Sequence, residues 1–314
     1  MEDRLSRAGV TALNTLAKVE VSDGLRHQGM VLFAAFSGGV RSLLAYRTLT
    51  EALAEGWVEV TEQAQATVPE LRLVNRGKLP ILVIDGEEIV GGRQNRIVNK
   101  SFLIDAGTAI DLPVTCVEHG RWHETAPRFS AGESAPASLR NEKFDAVTRN
   151  LRGFGRAVAD QNAIWDGVAA REAASGSRSP SEAMHAIYEK RGDDLATYLE
   201  AFPYPRDAVG LVVALNGHLT GAEVFDQTRT AELLWPKLIR GYALDAIGGR
   251  IGLAVGHDRA IRFLARTHHA HCDVFPSLGL GEEVRLTGDG LVGSVLVHAG
   301  TLVHASLFRR RVGG

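Results

Sequence analysis

The spacing of apolar residues changes period twice along this chain and marks out three zones. In residues 1–128 the signal is mostly that of strands. Met30–Phe36 and residues 79–84 are short apolar runs bounded by turn formers, the mark of buried strands. Residues 42–55 break this pattern with helical spacing, and Gly56 is the stop signal. In residues 138–202 the period lengthens. Phe144, Val147, Leu151, Phe154, Val158 and Ile164 recur mostly every three to four positions, which predicts helix with one buried face. Gly153 and Gly155 weaken the middle of that helix and permit a kink or a close helix contact there. A polar break at residues 175–180 precedes Ser181, which caps a helix carrying Met184, Ile187 and Tyr188, and Pro203 and Pro205 close the zone. Residues 207–314 return to strand. Asn216-Gly217 between apolar runs predicts a hairpin over 209–225, and Asp289-Gly290 and Ala299-Gly300 are further turns. Helices are predicted over 232–246, with Pro236 best tolerated near the first turn, and over 258–266.

These elements predict an α+β class: an antiparallel, β-rich core with a helical insertion between two strand-rich parts. A linker able to separate independent domains is missing, because the polar stretch 128–140 is short. The expected organisation is one α+β domain over 1–254, composed of strand-rich 1–128, helical 138–202, and a hairpin and helix in 207–254. Residues 255–314 then form a C-terminal helix and strand extension packed on the same core.

Composition adds mainly exclusions. With 45% hydrophobic and 23% charged residues the chain can bury a sizeable core. The net charge is −2 and no basic block recurs, so the footprint for duplex nucleic acid is missing. The two cysteines, Cys116 and Cys272, form no CxxC, which predicts a reducing compartment. A charged N-terminus without an apolar run excludes a signal peptide, and no apolar run approaches the ~20 residues needed to span a bilayer. The expectation is a cytoplasmic protein with no membrane partner.

Three polar clusters are candidates for chemistry. The densest is Glu87, Glu88, Arg93, Gln94, Asn95, Arg96, Asn99 and Lys100, which follows the Asp85-Gly86 turn. A hairpin would project these side chains from one end of a sheet. Carboxamides hydrogen-bond in both senses, as sugars and bases require. Arg93 and Arg96 are suited to a phosphate, and Glu88 to general base catalysis or a metal. The bland alternative is a solvated loop satisfying its own backbone. The second cluster is Cys116, Glu118, His119, Arg121, Trp122, His123 and Glu124. A thiol beside Arg or His⁺ is a potential nucleophile, and Cys116, His119 and His123 are potential metal ligands, but a lone strand cysteine is more often a small buried hydrophobe. Arg121-Trp122 has the makings of a recognition element, a guanidinium for anions beside a stacking face. The third cluster, His268, His269, His271 and Cys272, offers metal-ligating atoms at a spacing that closes a tetrahedron poorly. Gln161, Asn162, Trp165, Glu223 and Asp226 are further polar or aromatic candidates for the same pocket. Nucleotide-loop, serine-hydrolase and zincin motifs are absent, and Ser37-Gly38-Gly39 is too generic for a phosphate loop, so no cofactor is assigned.

The stretch GKLPILVIDGEEIVGGRQNRIVNKSFLI, followed by PVTCVEHGRW, resembles an uncharacterised bacterial family, the ADP-ribosylglycohydrolase and rhodanese-phosphatase-superfamily-associated protein domain, first subtype. Its recognisable pieces are Gln94-Asn95-Arg96 with Asn99, and Cys116-Val117-Glu118 with Gly120-Arg121-Trp122. The resemblance runs to about Ala246 and leaves the tail from Val255 outside. It implies, by genomic association alone, a role near NAD or ADP-ribose metabolism.

The leading expectation is binding or hydrolysis of an ADP-ribose-like or other phosphorylated nucleotide. Arg93, Arg96 and Arg121 would hold phosphates, Gln94, Asn95 and Asn99 would read ribose or base, Trp122 would stack, and Glu88 or Glu118 would be the general base. The alternatives are a non-catalytic interaction or homo-oligomerisation module of a stress or defence system, with the Arg309-Arg310-Arg311 tail at its rim, and single-stranded nucleic-acid binding.

Overall fold

Asn216 and Gly217 both take positive φ, 51° and 86°, the conformation a two-residue hairpin turn of this composition demands. They join strands Gly210–Leu215 and His218–Phe225, which pair antiparallel as predicted. The computed structural model describes residues 6–38, 42–63, 69–123 and 128–310. Gly39, Glu124 and Arg311 lie outside the described residues. The class is α+β, with almost all strand pairs antiparallel.

Two compact units divide the chain, and the division is not sequential. The first comprises Met1–Leu43, Ala196–Ser277 and Gly281–Gly314; the second comprises Leu44–Leu195 with Leu278–Leu280.

The first unit is built on a nine-stranded antiparallel sheet. The hairpin 210–225 pairs on one side with Met30–Phe36 and on the other with the final strand, Thr301–Arg309. Leu291–His298, Glu282–Gly288 and His271–Pro276 continue the sheet outward. Strands of the 255–314 segment are thus part of the same sheet as strands from 30–36 and 210–225. Alternation sends Phe33, Val212, Ala222, Ala305, Val295 and Val284 to one core. There they meet Ala8, Ala12 and Leu16 of helix Arg7–Leu16, and Phe263 and Leu264 of helix His257–Ala265. On the alternate positions runs a polar row in strict register: Glu223 opposite Ser306, Ser306 opposite Ser294, and Ser294 opposite Arg285. All four are buried. Glu223 accepts from Ser306 Oγ at 2.7 Å and Tyr242 OH at 3.1 Å, and lies 3.1 Å from His304 Nε2.

Gly210 is needed where it stands. A Cβ there would overlap the carbonyl oxygen of Glu223 on the paired strand. Gly210→Ala is expected to cost about 1–3 kcal/mol, the usual penalty of overpacking, read as a lowered urea midpoint. Gly153→Ala is the control, because a Cβ there meets nothing within 4 Å and helix propensity favours alanine.

The second unit holds a six-stranded antiparallel sheet, in the order Ser130–Ser134, Glu87–Val90, Arg96–Val98, Ala109–Cys116, Glu70–Asn75, Val58–Thr61. A smaller sheet joins Phe102–Ile104, Ile81–Val83 and Arg47–Thr48, the last pair parallel. Their apolar faces share one core that includes Leu71, Ile81, Ile89, Val98 and Val114. The helix expected over 42–55 is shorter, Leu49–Ala54. Thr48 and Glu51 form a capping box, and Arg47–Thr48 is held as strand against Ile81–Val83, so the helix cannot extend backward. Leu43 is left 97% exposed.

The helical zone stands as expected, in pieces Ala137–Phe154, Gln161–Ser175, Met184–Lys190 and Gly192–Ala201. Gly155 ends the first piece rather than kinking it: its φ of 66° makes a left-handed C-cap. Phe154 consequently falls outside the buried face and is exposed. Ala183, not Ser181, precedes the helix that carries Met184. In the first unit, Pro236 lies in the interior of helix Thr228–Ala246, which begins earlier than its apolar pattern indicates.

Candidate functional site

The Asp85-Gly86 turn anchors the polar region of the second unit. Gly86 takes φ 78°, and the Arg140 side chain lies against it, so a Cβ there would come within 2.5 Å of Arg140 Cδ. The Asp85 carboxylate is paired with Lys143 and, at 3.4 Å, with Arg140 Nε. Lys143 Nζ also donates to the carbonyls of Val98 at 3.0 Å and Asn99 at 2.9 Å. Helix Ala137–Phe154 is thereby fastened through two buried cations to the strand pair beside it.

Most of the expected ligand-binding residues fold inward rather than projecting. Arg96 is fully buried and forks onto Glu62 at 2.9 and 3.1 Å. Gln94 Nε2 donates to the Glu118 carbonyl at 2.7 Å. Asn95 Oδ1 accepts from Gly91 N–H and Arg121 Nη2, each at 3.1 Å. Asn99 bridges the Ala157 carbonyl at 2.8 Å and the Thr115 hydroxyl at 2.6 Å. Arg121 grips Glu118 through Nε at 2.8 Å and Nη2 at 2.5 Å, and reaches the Gly92 carbonyl at 2.6 Å. Glu118 also accepts from Ser181 Oγ at 2.7 Å and the Asn95 N–H at 3.0 Å. These bonds clasp residues 91–99, 116–121 and 157–183 together. Backbone groups and carboxylates of the protein already occupy most of the donors of these side chains that a phosphate or ribose would use. Lys100 is likewise buried, with its ammonium 4.6 Å from the Phe102 ring centroid.

Electrostatics follow from the packing. Burial alone would raise the Glu118 pKa. Hydrogen bonds from Arg121, Ser181 and Asn95, with the Arg121 charge, outweigh it and hold the carboxyl below its ordinary value. Cys116 is fully buried, and burial pushes its thiol upward despite Arg96 nearby. Its backbone is held by Gln161, whose side chain both accepts from the Cys116 N–H and donates to its carbonyl at 2.9 Å. A thiol of raised pKa with no solvent access lacks the thiolate a nucleophile needs, and of the two expectations for Cys116 the structure fits the small buried hydrophobe.

What remains accessible is a surface strip. Trp122 is 50% exposed, with the Arg93 guanidinium 5.6 Å from its ring centroid. The His119 ring packs at a tilt against Trp165, with centroids 4.3 Å apart, and its Nδ1 lies 3.0 Å from Glu182. Glu182 takes φ 48°, a left-handed conformation unusual for glutamate. Three residues on, His185 meets Glu88. Glu88 is fully buried, and its Oε2 lies 2.9 Å from His185 Nδ1 and accepts from the Glu133 N–H at 3.1 Å. Gly132 makes room for that carboxylate, since a Cβ there would collide with Glu88 Oε2. The other oxygen, Oε1, is buried and has no hydrogen-bond partner among the described residues. Hydrogen bonding to Glu88 raises the His185 pKa, against burial and with help from the Glu88, Glu189 and Glu133 charges. A buried carboxylate orienting a half-exposed imidazole is an acid–base pair in form.

His185 escaped sequence reasoning, because a single histidine within an apolar helix turn carries no motif. The same holds for Glu62, which bears no local sign that it will neutralise Arg96.

The His-rich segment does not assemble a metal centre. His268 and His269 sit on a short 3₁₀ turn, while His271 and Cys272 are neighbours on a strand. His271 lies 3.3 Å from Asp273 and Cys272 packs toward the apolar core. Among the described residues no group of three or more His, Cys, Asp or Glu side chains is placed to hold a metal ion. No helix among them is long and apolar enough to cross a membrane.

The model of one family, ARPP-1, the ARG and Rhodanese-Phosphatase-superfamily-associated Protein domain, matches residues 18–308. The match passes well beyond Ala246 and takes in the C-terminal strands that the resemblance had left outside. No curated protein and no solved structure matches the chain.

Proposed function

The chain belongs to the ARG and Rhodanese-Phosphatase-superfamily-associated Protein domain family, and from that premise we propose that its second unit binds, and acts hydrolytically on, a phosphorylated nucleotide of the ADP-ribose kind. The observation that carries this reading is the Glu88–His185 pair, a buried carboxylate holding an imidazole that is 33% exposed. Ionised Glu88 can only accept, so the proton it faces is on His185 Nδ1. His185 Nε2 is then the atom that gives or takes a proton, with Glu88 acting through it. Trp122 and Arg93 supply a ring and a guanidinium at the surface, the cation resting against the indole. The buried residues of the clasp hold these groups in place. Reading the family's "ARG" as ADP-ribosylglycohydrolase names the substrate class within this proposal.

The test is a thermal-shift and turnover assay with ADP-ribose and NAD. A ligand at about 100 times its dissociation constant stabilises the native state by ~2.7 kcal/mol. Trp122→Ala should weaken binding. His185→Gln should lower turnover roughly 10²–10⁴-fold, the usual worth of a general acid or base, with little change in binding. The pH–rate limb should lie above the ordinary imidazole range and fall back toward it in Glu88→Gln. The sign for stability is fixed by the raised pKa. The contact stabilises the fold fully below the ordinary histidine range, and the contribution is lost as pH rises through the raised value. Turnover that survives His185→Gln intact overturns the assignment.

A second reading, a non-catalytic interaction module, is favoured by the inward commitment of Gln94, Asn95, Arg96, Asn99 and Arg121. It predicts no thermal shift with any nucleotide and a partner whose capture depends on exposed Trp122.

A further inference from the structure

We propose a second, separate ligand site in the first unit, for a small, multiply phosphorylated anion with an organic moiety such as a nucleoside triphosphate. Helix His257–Ala265 continues directly into the 3₁₀ turn Arg266–His269. Arg259, Arg262, Arg266 and His269 are spaced three, four and three residues apart, which aligns them on one stripe. Arg309 ends the last strand, opposite Leu291 beside the Asp289-Gly290 turn. That turn ties the two elements together. A Cβ on Gly290 would come within 2.5 Å of Arg266 Nη1, so the guanidinium lies against the turn, and the Arg310 N–H donates to the Gly290 carbonyl at 3.1 Å. The five basic residues line one cavity of about 500 Å³, with Leu219 and Phe263 contributing apolar wall.

Like charges at these helix spacings cost roughly 0.2–0.5 kcal/mol per pair. Arg259, Arg262 and Arg266 have no acidic partner among the described residues, and Asp289, the acid nearest in sequence to the turn glycine, pairs with none of them. A purely structural explanation covers part of the stripe, since cations at a helix C-terminus complement its dipole. It does not cover Arg259, which lies in the first turn where that dipole disfavours a cation. An anion in the cavity explains the whole stripe. Guanidinium forks match phosphate oxygens, and the volume falls in the range of small-molecule sites. The net charge of −2 gives no long-range pull on a nucleic-acid duplex, which favours a compact ligand over a polymer.

The experiment is calorimetric titration of the full chain with ATP, tripolyphosphate and a single-stranded oligonucleotide. ATP and tripolyphosphate should bind the wild type. Affinity for tripolyphosphate, which has no base to stack on Trp122, should fall at least tenfold in the double variant Arg262→Ala/Arg266→Ala and stay unchanged in Trp122→Ala, which separates this site from the one proposed in the second unit. These arginines are exposed, so the double variant should melt with the wild type. If it does not fold, Arg259→Gln/Arg309→Gln replaces it with the same expectation. Absence of binding by both phosphates, or equal affinity in the folded variant, overturns the proposal. So does tighter binding of the oligonucleotide than of ATP with a steep salt dependence, which assigns the stripe to nucleic acid instead.

Discussion

Arg121→Ala should lower the stability of the protein by about 3–5 kcal/mol, the cost of removing one partner from a buried ion pair. Arg121 and Glu118 are 8% and 4% exposed. Without the guanidinium, the Glu118 charge keeps only the Ser181 hydroxyl and the Asn95 N–H, and the Gly92 carbonyl and Asn95 Oδ1 each lose a donor. The measurement is urea unfolding followed by circular dichroism. A double variant, Arg121→Met/Glu118→Gln, should recover much of the loss, because an apolar or neutral replacement of both partners leaves no uncompensated charge. A midpoint within error of the wild type for Arg121→Ala alone would show the clasp to be structurally idle and return Arg121 to the list of ligand groups. The pair also fixes an acid dependence. The Glu118 pKa is lowered, so its contribution is present above the ordinary carboxylate range and disappears as pH falls through the depressed value.

Asp85→Asn is the other large effect, again about 3–5 kcal/mol by the same reasoning. Asp85 is 5% exposed, and its partners Arg140 and Lys143 are 1% and 2% exposed. They lie on one face of helix Ala137–Phe154. Their shared carboxylate is what lets two buried cations sit side by side. The neutral amide removes that countercharge in a medium that screens their mutual repulsion poorly. Adding Lys143→Met to Asp85→Asn should restore part of the stability, because one of the two cations is then gone. If instead the double variant is less stable than Asp85→Asn, the hydrogen bonds of Lys143 to the Val98 and Asn99 carbonyls outweigh its charge, and the pairing is not the controlling interaction.

The outcome of each expectation depends on the range over which its cause acts. Hairpin 210–225 was legible because Asn216-Gly217 is a local device, and the α+β class because apolar period is local too. The start of helix Leu49–Ala54 was legible in principle from Thr48 and Glu51, but the apolar spacing of Leu43, Leu44 and Tyr46 masked it. The segment Arg93 to Lys100 reads as a solvated or ligand-facing loop only while its partners are unknown. Glu62 lies 34 residues from Arg96, and Ser181 lies 63 from Glu118, so no window of sequence shows that these charges are answered internally. His185 and Glu88 are 97 residues apart. Their pairing is a property of the packed helix and sheet, and neither residue announces it.

The buried row Glu223–Ser306–Ser294–Arg285 bears on the choice of strand register as well as on the folded state. Side chains in a strand alternate faces, so a slip of one position turns every residue to the other side. In Thr301–Arg309, such a slip would carry His304 and Ser306 onto the face where Ala305 and Leu307 pack with Phe263, and would move Ala305 opposite Glu223. Mispaired arrangements of the four strands are therefore penalised as the sheet is buried, by the desolvation of misplaced polar groups, a cost that purely apolar strands would not carry. The chain thereby carries its own proofreading against mis-registered sheets, and against the intermolecular strand exchange that such sheets seed.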